Sequence, residues 1–168
     1  MRLLARIIGA AFGLFLFSQS AEFTQQYLQR LGGAADALRD VVRRFDEGAS
    51  AEALTREEAV TRLKSSPDRL VSRQGSDAEA TILAFTVTER RYRGLLDTAP
   101  LLRPFEALGD FDTEIAASAL SDFRPALPVT PDGLALTGLG FLLGWGAGGG
   151  VAGAVRRLAR RRKVRSLT

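Results

Sequence analysis

Three acidic residues at alternate positions form the arrangement in this sequence that most resembles a metal site. Asp110, Asp112 and Glu114 stand in the stretch GDFDTE, and alternating carboxylates open a calcium-binding loop. The calcium-loop template then needs a glycine where Ile115 stands and a bidentate glutamate where Ser121 stands. Because both positions are wrong, we expect these acids to cap and stabilise the amino end of a helix instead.

A serine–lysine pair is the second arrangement that could do chemistry, because it needs neither histidine nor cysteine. Lys64 lies beside Ser65 and Ser66, but no glycine-framed nucleophile turn accompanies them. The sequence has no cysteine and no histidine, which excludes disulfides, thiol nucleophiles, histidine-based triads and metal sites built on these residues. We therefore expect no catalytic residue, no cofactor and no metal ligand, and the protein is not predicted to be an enzyme.

The segment that carries these residues is predicted to be helical. Apolar residues recur at spacings of four and three, as in a heptad seam. The seam consists of Tyr27, Leu31, Ala34, Leu38, Val41 and Phe45. Gly32 and Gly33 interrupt it, either as a weak point or as a place of close approach. We expect this segment to pair with a second long helix as an antiparallel hairpin, with shorter helices packed alongside.

Helix boundaries are marked by capping residues and prolines. Thr55 with Glu58, and Ser76 with Glu79, match the capping box that opens a helix. Two shorter helices are expected further on. One is opened by Pro104, and one begins near Asp112–Thr113.

A long uncharged stretch near the carboxyl end is predicted to be a transmembrane helix. Residues Leu134 to Val155 contain no charged side chain over 22 positions, and a helix of that length spans roughly 33 Å, against about 30 Å for a bilayer core. Thr130 before Pro131 marks its start, with proline at the first helical position. Trp145 lies at mid-span, where its indole N–H requires a hydrogen-bond acceptor.

Small residues in this stretch recur at four-residue spacing, which is the pattern of a glycine zipper and favours close packing of helices in lipid. One ridge consists of Gly140, Gly144, Gly148 and Ala152, and a second of Gly146, Gly150 and Ala154. Gly9 and Gly13 form a small-residue pair at a similar depth in the amino-terminal apolar segment. We expect the first ridge to pack against them, or against the same ridge of a second copy. The alternative is that glycine is simply common in membrane helices.

The amino-terminal segment supports two interpretations. Leu3 to Phe17 is apolar except for Arg6, and Ser18 and Ser20 follow, which also describes a cleavable signal peptide. The helical pattern continues through Ser20–Ala21 without a loop. We therefore favour an uncleaved membrane helix.

Charge is segregated along the chain and predicts its topology. All 19 acidic residues and 14 of the 23 basic residues lie between Glu22 and Asp132. Arg2 and Arg6 lie before this segment, and the other basic residues form the tail after it: Arg156, Arg157, Arg160, Arg161, Arg162, Lys163 and Arg165. Basic residues near span ends stay cytoplasmic, and near anionic lipid headgroups each contributes about 1 kcal/mol. We expect this tail to contact membrane lipids and not nucleic acid.

These features divide the chain into four segments. Residues 1–20 form an amino-terminal transmembrane helix or signal anchor, residues 21–130 a periplasmic helical domain, residues 131–155 a glycine-rich transmembrane helix, and residues 156–168 a basic cytoplasmic tail. The predicted class is an all-α, two-span protein of the bacterial inner membrane with both termini in the cytoplasm.

Two stretches resemble the signature stretches of a known family. EFTQQYLQRLGG (Glu22 to Gly33) and DFRPALPVTPDGL (Asp122 to Leu134) are similar to those of small proteobacterial inner-membrane proteins that share a domain of unknown function. The resemblance covers nearly the whole chain and implies an uncleaved first helix and two spans. It implies no activity and no functional residue.

The predicted role is structural or interactive: self-association as a homo-oligomer, or service as an accessory or assembly subunit of a larger membrane-protein complex. The alternative is a carrier or sensor whose periplasmic helical domain binds a lipid or small ligand. A ligand-binding domain should enclose an apolar pocket, whereas an interaction module should show an exposed apolar stripe.

Overall fold

The computed structural model describes the backbone of residues 2–165 and the side chains of residues 2–154. Within these residues the fold is helical and has no strand, which confirms the predicted all-α class. In chain order the helices are α1 (Arg2–Ala51), α2 (Arg56–Lys64), α3 (Arg69–Asp97), a 3₁₀ turn (Pro100–Leu102), α4 (Arg103–Gly109), α5 (Thr113–Ser121) and α6 (Pro131–Arg165).

Helix α1 runs unbroken for 50 residues, from the apolar amino-terminal segment into the heptad seam. It passes through Ser18 and Ser20, whose hydroxyl groups each donate a 2.8 Å hydrogen bond to a carbonyl three residues earlier in the helix. The helix also continues through Gly32 and Gly33 without ending. The serines that could mark a cleavage site therefore lie inside a continuous helix.

Several predicted boundaries are confirmed. The Thr55–Glu58 capping box is present, with the Glu58 amide donating to the Thr55 hydroxyl at 3.2 Å and the Thr55 amide donating to the Glu58 carboxylate at 2.8 Å. Helix α5 begins at Thr113, and α6 begins at Pro131. The Thr130 hydroxyl accepts a hydrogen bond from the Gly133 amide at 3.2 Å, as a helix-capping residue does.

One predicted boundary is wrong. Ser76 does not open a helix, because α3 has already begun at Arg69, where the carboxylate of Asp68 accepts the Leu70 amide at 2.8 Å. Proline disfavours the helical conformation for the residue before it, so the first capping residue after Pro67 sets the start. The helix expected to open at Pro104 is present as α4, which begins one residue earlier at Arg103 and directly follows the 3₁₀ turn.

The chain forms two compact units. The first contains the chain up to Gln26, Ala99–Gly109 and the chain from Ser118 onward, and the second contains Tyr27–Thr98 and Asp110–Ala117. The four-segment division by membrane topology is a different kind of division and stays a prediction.

In the second unit, the later part of α1 and α3 run antiparallel. Gly32 lies against Tyr92, and Arg39 of α1 pairs with Glu89 of α3 at 2.6 Å. A methyl group on Gly32 would lie 2.9 Å from a ring carbon of Tyr92. Gly32 is therefore a place of close approach, which was one of the two interpretations of the glycine pair.

The heptad seam is buried only in its first part. Tyr27 and Leu31 are fully buried, but Val41 is 45% exposed. The buried line continues instead through Ala35 and Val42. Gly32 lets Tyr92 of α3 approach closely, and beyond this contact the buried face of α1 departs from the heptad seam.

Candidate functional site

Two helices, α1 and α6, are long and apolar enough to cross a membrane. The most apolar window of α1 has a mean hydropathy of 1.5, and that of residues Pro131–Ala154 in α6 has a mean hydropathy of 1.4. Each window is only 17% buried within the structure. We call residues 2–20 and 131–154 the two candidate spans.

The first glycine ridge of α6 lies directly against the start of α1. A Cβ atom built on Gly144 would overlap the carbonyl oxygen of Gly9, and one built on Gly148 would overlap that of Ala5. A Cβ atom on Gly140 would overlap the carbonyl oxygen of Gly13. The contact is backbone against backbone, so no side chain can be added at these glycines without moving a helix.

The reciprocal contacts show that the two candidate spans are antiparallel. A Cβ atom on Gly9 would meet Gly144 and lie 3.2 Å from the Cα of Gly148, and one on Gly13 would meet Gly140. As the chain advances along α1, its contacts move back along α6. The structure thus brings together five of the six predicted packing residues, and the sixth, Ala152, is half-buried further along the helix.

The second glycine ridge does not take part in this contact. Gly146 and Gly150 have nothing within 4 Å of a Cβ position, and both are exposed together with Ala154. The two ridges, which are similar in sequence, therefore have different surroundings within one chain.

Trp145 faces the other candidate span through a cation–π contact. The guanidinium carbon of Arg6 lies 5.5 Å from the centre of the indole ring. Gly149 makes room for Arg6, because a Cβ atom there would lie 2.8 Å from the arginine Nε. On the same helix, the ring of Phe141 stacks on the ring of Trp145 with ring centres 6.2 Å apart. The one charged side chain inside the amino-terminal apolar stretch is thus placed on an aromatic face.

The two stretches that carry the family resemblance contact each other near the ends of the candidate spans. Phe23 and Phe123 pack edge to face with ring centres 5.9 Å apart. The side-chain amide of Gln19, which lies three residues before the first stretch, donates to the carbonyl of Ala126 at 3.2 Å. These contacts fix the extended segment before α6 alongside α1.

A polar cluster in the second unit accounts for the acidic GDFDTE stretch. The guanidinium of Arg91 bridges Asp110 at 2.9 Å and Asp112 at 2.7 Å. The hydrogen bond from Arg91 holds the pKa of Asp110 below its ordinary value. Asp112 also accepts the amide hydrogens of Glu114 at 3.2 Å and Ile115 at 3.1 Å. The predicted capping role is confirmed for Asp112, while Asp110 and Asp112 are also held by arginine.

Tyr27 anchors the same cluster from α1. Its hydroxyl oxygen accepts the amide hydrogen of Asp112 at 3.0 Å, and its ring stacks on Phe111 at 4.8 Å. Burial raises the pKa of this phenol above its ordinary value. The cluster therefore joins α1, α3 and the start of α5 inside the second unit.

Lys64 and Ser65 of the serine–lysine stretch form hydrogen bonds with other residues. Lys64 donates to the carboxylate of Glu79 at 2.6 Å, and the Ser65 hydroxyl donates to the carbonyl of Arg62 at 3.2 Å. The Lys64 ammonium group and the Ser65 hydroxyl group therefore donate to other residues and not to each other. Among the described residues, no group of three or more acidic side chains is placed to hold a metal ion.

The seven basic residues of the tail have side chains outside the described residues, so their predicted lipid contact stays a prediction. They are Arg156, Arg157, Arg160, Arg161, Arg162, Lys163 and Arg165.

Sequence reasoning missed the ion pairs that join distant elements. Arg39 and Glu89 are 50 residues apart, and Arg91 is separated from Asp112 by 21. Local spacing gives no signal for such pairs. The sequence did contain one pointer to the cluster, namely an acidic stretch that failed the calcium template.

Comparison with known proteins identifies a family. The model of a family described as "Protein of unknown function (DUF2937)" matches residues 1–161. No curated protein and no solved structure matches the chain.

Proposed function

The chain belongs to the DUF2937 family, and from that premise we propose that it is a two-span integral protein of the bacterial inner membrane with a structural or accessory role in a larger assembly. In this proposal the middle segment is periplasmic and both ends are cytoplasmic. One observation carries it: two apolar helices pack backbone to backbone through glycine while their large apolar side chains face outward.

The outward faces of the candidate spans support a lipid environment. Leu3, Phe12 and Ile8 of α1 are exposed, as are Leu142 and Val151 of α6. The core helix of a water-soluble protein would bury such side chains, whereas each of these windows is 17% buried. In a lipid environment these apolar side chains are not exposed to water, so leaving them on the outer surface is not unfavourable.

The glycines support the same environment. In water an interior glycine costs about 1 kcal/mol of helix stability relative to alanine. Between helices in lipid there is no hydrophobic drive, and association depends on close packing through small residues. Gly140, Gly144 and Gly148 sit at that contact.

An exposed apolar face next to the spans supports the accessory role. Leu101, Phe105 and Leu108 recur at spacings of four and three through the 3₁₀ turn and α4, and all three are exposed. Ala107 of α4 is buried. Exposed apolar faces of this kind mark interaction sites, and we assign this one to a partner subunit.

The topology is tested with reporters. An enzyme active only in the periplasm should work when inserted near Gly48 and fail when fused after Thr168, because basic residues near span ends stay cytoplasmic. The reverse pattern would overturn the topology. The intact mass of the membrane-extracted protein should include the first 20 residues, and a mass beginning at Ala21 would replace the first span with a signal peptide.

The accessory role is tested by purification of the full chain in mild detergent. Proteins that co-purify with the wild type in fixed ratio should be lost from Leu108→Gln, whose side chain is 75% exposed on the α4 face. The matched control is Leu83→Gln, in the other unit, where the leucine is 64% exposed. Equal recovery of partners by both variants, or a wild type that purifies alone, would contradict the assignment.

A further inference from the structure

The second unit contains a groove that is not lined by any residue of the candidate spans. It has a volume of about 680 Å³ and lies where the end of α1 meets α2 and the start of α3. Ligand pockets in proteins measure about 300–1,000 Å³. Its lining includes the apolar residues Phe45, Ala49, Leu54, Ala59, Leu63 and Val71.

A tight turn after α1 builds one wall of this groove. The amide of Leu54 donates to the carbonyl of Ala49 at 2.9 Å, and the amide of Ala53 to that of Ser50 at 3.0 Å. Ala53 has a φ of 56°, the left-handed conformation that closes a Schellman motif. This motif returns Leu54 toward Ala49, and both residues line the groove.

Polar contacts and one glycine fix the other walls. Arg56 of α2 forms a bidentate ion pair with Asp46 of α1, at 2.7 and 2.5 Å. The buried Gly75 of α3 lets that helix approach Leu63 of α2, since a Cβ atom there would lie 2.8 Å from the Leu63 Cβ. The groove is therefore formed before any ligand arrives.

The charges at the rim are unevenly matched. Arg44 and Arg62 line the groove, and neither forms an ion pair with any residue that the structure describes. Nearby Arg43 and Arg56, in contrast, are both paired with carboxylates. Glu52 is the only carboxylate among the described lining residues. The rim thus offers two guanidinium groups against one carboxylate, above an apolar floor.

We propose that this groove binds a single-chain amphiphile with an anionic head group. The acyl chain lies on the floor formed by Phe45, Leu54 and Leu63, where removal of its methylene groups from water favours binding. The carboxylate or phosphate of the head group pairs with Arg44 and Arg62, whose planar guanidinium groups suit either anion. All residues that line the groove belong to the second unit, so ligand binding there does not depend on the proposed topology.

The test uses the full chain in nanodiscs of zwitterionic phosphatidylcholine. Palmitate that carries a photoreactive diazirine in its chain is added, and the crosslinked peptides are identified by mass spectrometry. Labelling of residues 44–71 is expected in addition to labelling of the candidate spans by probe dissolved in the lipid. The corresponding photoreactive fatty alcohol, which has no charge, should label the spans but label the groove several-fold less.

Variants separate groove binding from general apolar contact. Gly48 lines the groove, and a Cβ atom there would have nothing within 4 Å, so Gly48→Leu should fill the groove and abolish labelling of residues 44–71. Gly33 is equally open on the same helix, and Gly33→Leu should leave labelling unchanged. Arg44→Gln and Arg62→Gln should each reduce labelling by about twofold to fivefold, whereas Arg73→Gln, outside the groove, should not.

Excess unlabelled palmitate or lysophosphatidate should compete with the probe, and whichever competes better identifies the natural head group as carboxylate or phosphate. The proposal is overturned if the fatty alcohol labels residues 44–71 as strongly as palmitate, or if labelling survives Gly48→Leu. Equal labelling of both arginine variants and the wild type would also overturn it. Far-UV circular dichroism confirms that each variant is folded, and the arginine variants leave the apolar floor intact.

Discussion

Alanine substitution at two neighbouring glycines of α6 should have opposite effects. Gly144 and Gly146 are two positions apart in the same candidate span, but Gly144 faces the backbone of Gly9 and Ala10 while Gly146 faces open space. Gly144→Ala should destabilise the packing of α6 on α1, and Gly146→Ala should not. The two variants add the same single methyl group, so their comparison removes the effect of composition.

The magnitude follows from the contact. The new methyl group of Gly144→Ala would overlap the carbonyl oxygen of Gly9 and lie 3.1 Å from the Cα of Ala10. Because both neighbours are backbone atoms, they cannot rotate away as a side chain would, and the helices must separate. Overpacking of this kind costs about 1–3 kcal/mol. Gly146→Ala instead gains up to about 1 kcal/mol of helix propensity, so the two variants should differ by more than about 1 kcal/mol.

The chain carries its own probe for this experiment. Trp145 is the single tryptophan, and Arg6 of the opposing helix lies over its ring, so its fluorescence should change when α1 and α6 separate. Purified protein in mild detergent is titrated with sodium dodecyl sulfate, and the midpoint of the fluorescence change is compared. A lower midpoint for Gly144→Ala and an equal or higher one for Gly146→Ala are expected. Coincident midpoints would show that the glycines do not mediate this packing.

The second unit gives three further predictions, each measured by thermal unfolding in mild detergent. Tyr27→Phe removes the acceptor of the Asp112 amide hydrogen and should lower the free energy of unfolding by about 1 kcal/mol; Tyr92→Phe is the control, and equal loss in both would count against the assigned bond. Ala53→Gly should raise the free energy of unfolding by up to about 1 kcal/mol. Glycine adopts the left-handed conformation that Ala53 holds at φ 56° without the cost of a Cβ, and this gain exceeds the extra entropy that glycine loses on folding; a decrease would contradict this. Since the folded-state pKa of Asp110 is lowered by Arg91, its contribution is present above the ordinary pKa of 3.8 and is lost as the pH falls through the lowered value. Wild type should therefore lose more stability than Asp110→Asn on acidification below about pH 4, and parallel curves would refute the coupling.

Features decided by neighbouring residues could be predicted from the sequence. The Thr55–Glu58 box and the start of α6 at Pro131 follow from side chains that satisfy free amide groups within one turn. The spacing of Gly140, Gly144 and Gly148 predicted a contact ridge, and the structure places Gly9 and Gly13 against it. Residues at a four-residue spacing share one face of a helix regardless of what packs against it. Such a pattern can therefore be recognised without knowledge of the fold.

Features that depend on which elements meet could not be predicted in this way. Val41 fits the heptad seam as well as Leu31 does, but Leu31 is buried and Val41 is exposed, because burial depends on which elements pack against each position of α1. The groove was still less predictable, because its lining residues come from three helices and two turns. Its unpaired arginines can be distinguished from paired neighbours such as Arg43 only when the contacts are known. The two glycine ridges of α6 show the same limit within one helix. Their spacing is equal, and only the position of α1 makes the ridge of Gly144 a packing surface while the ridge of Gly146 stays open.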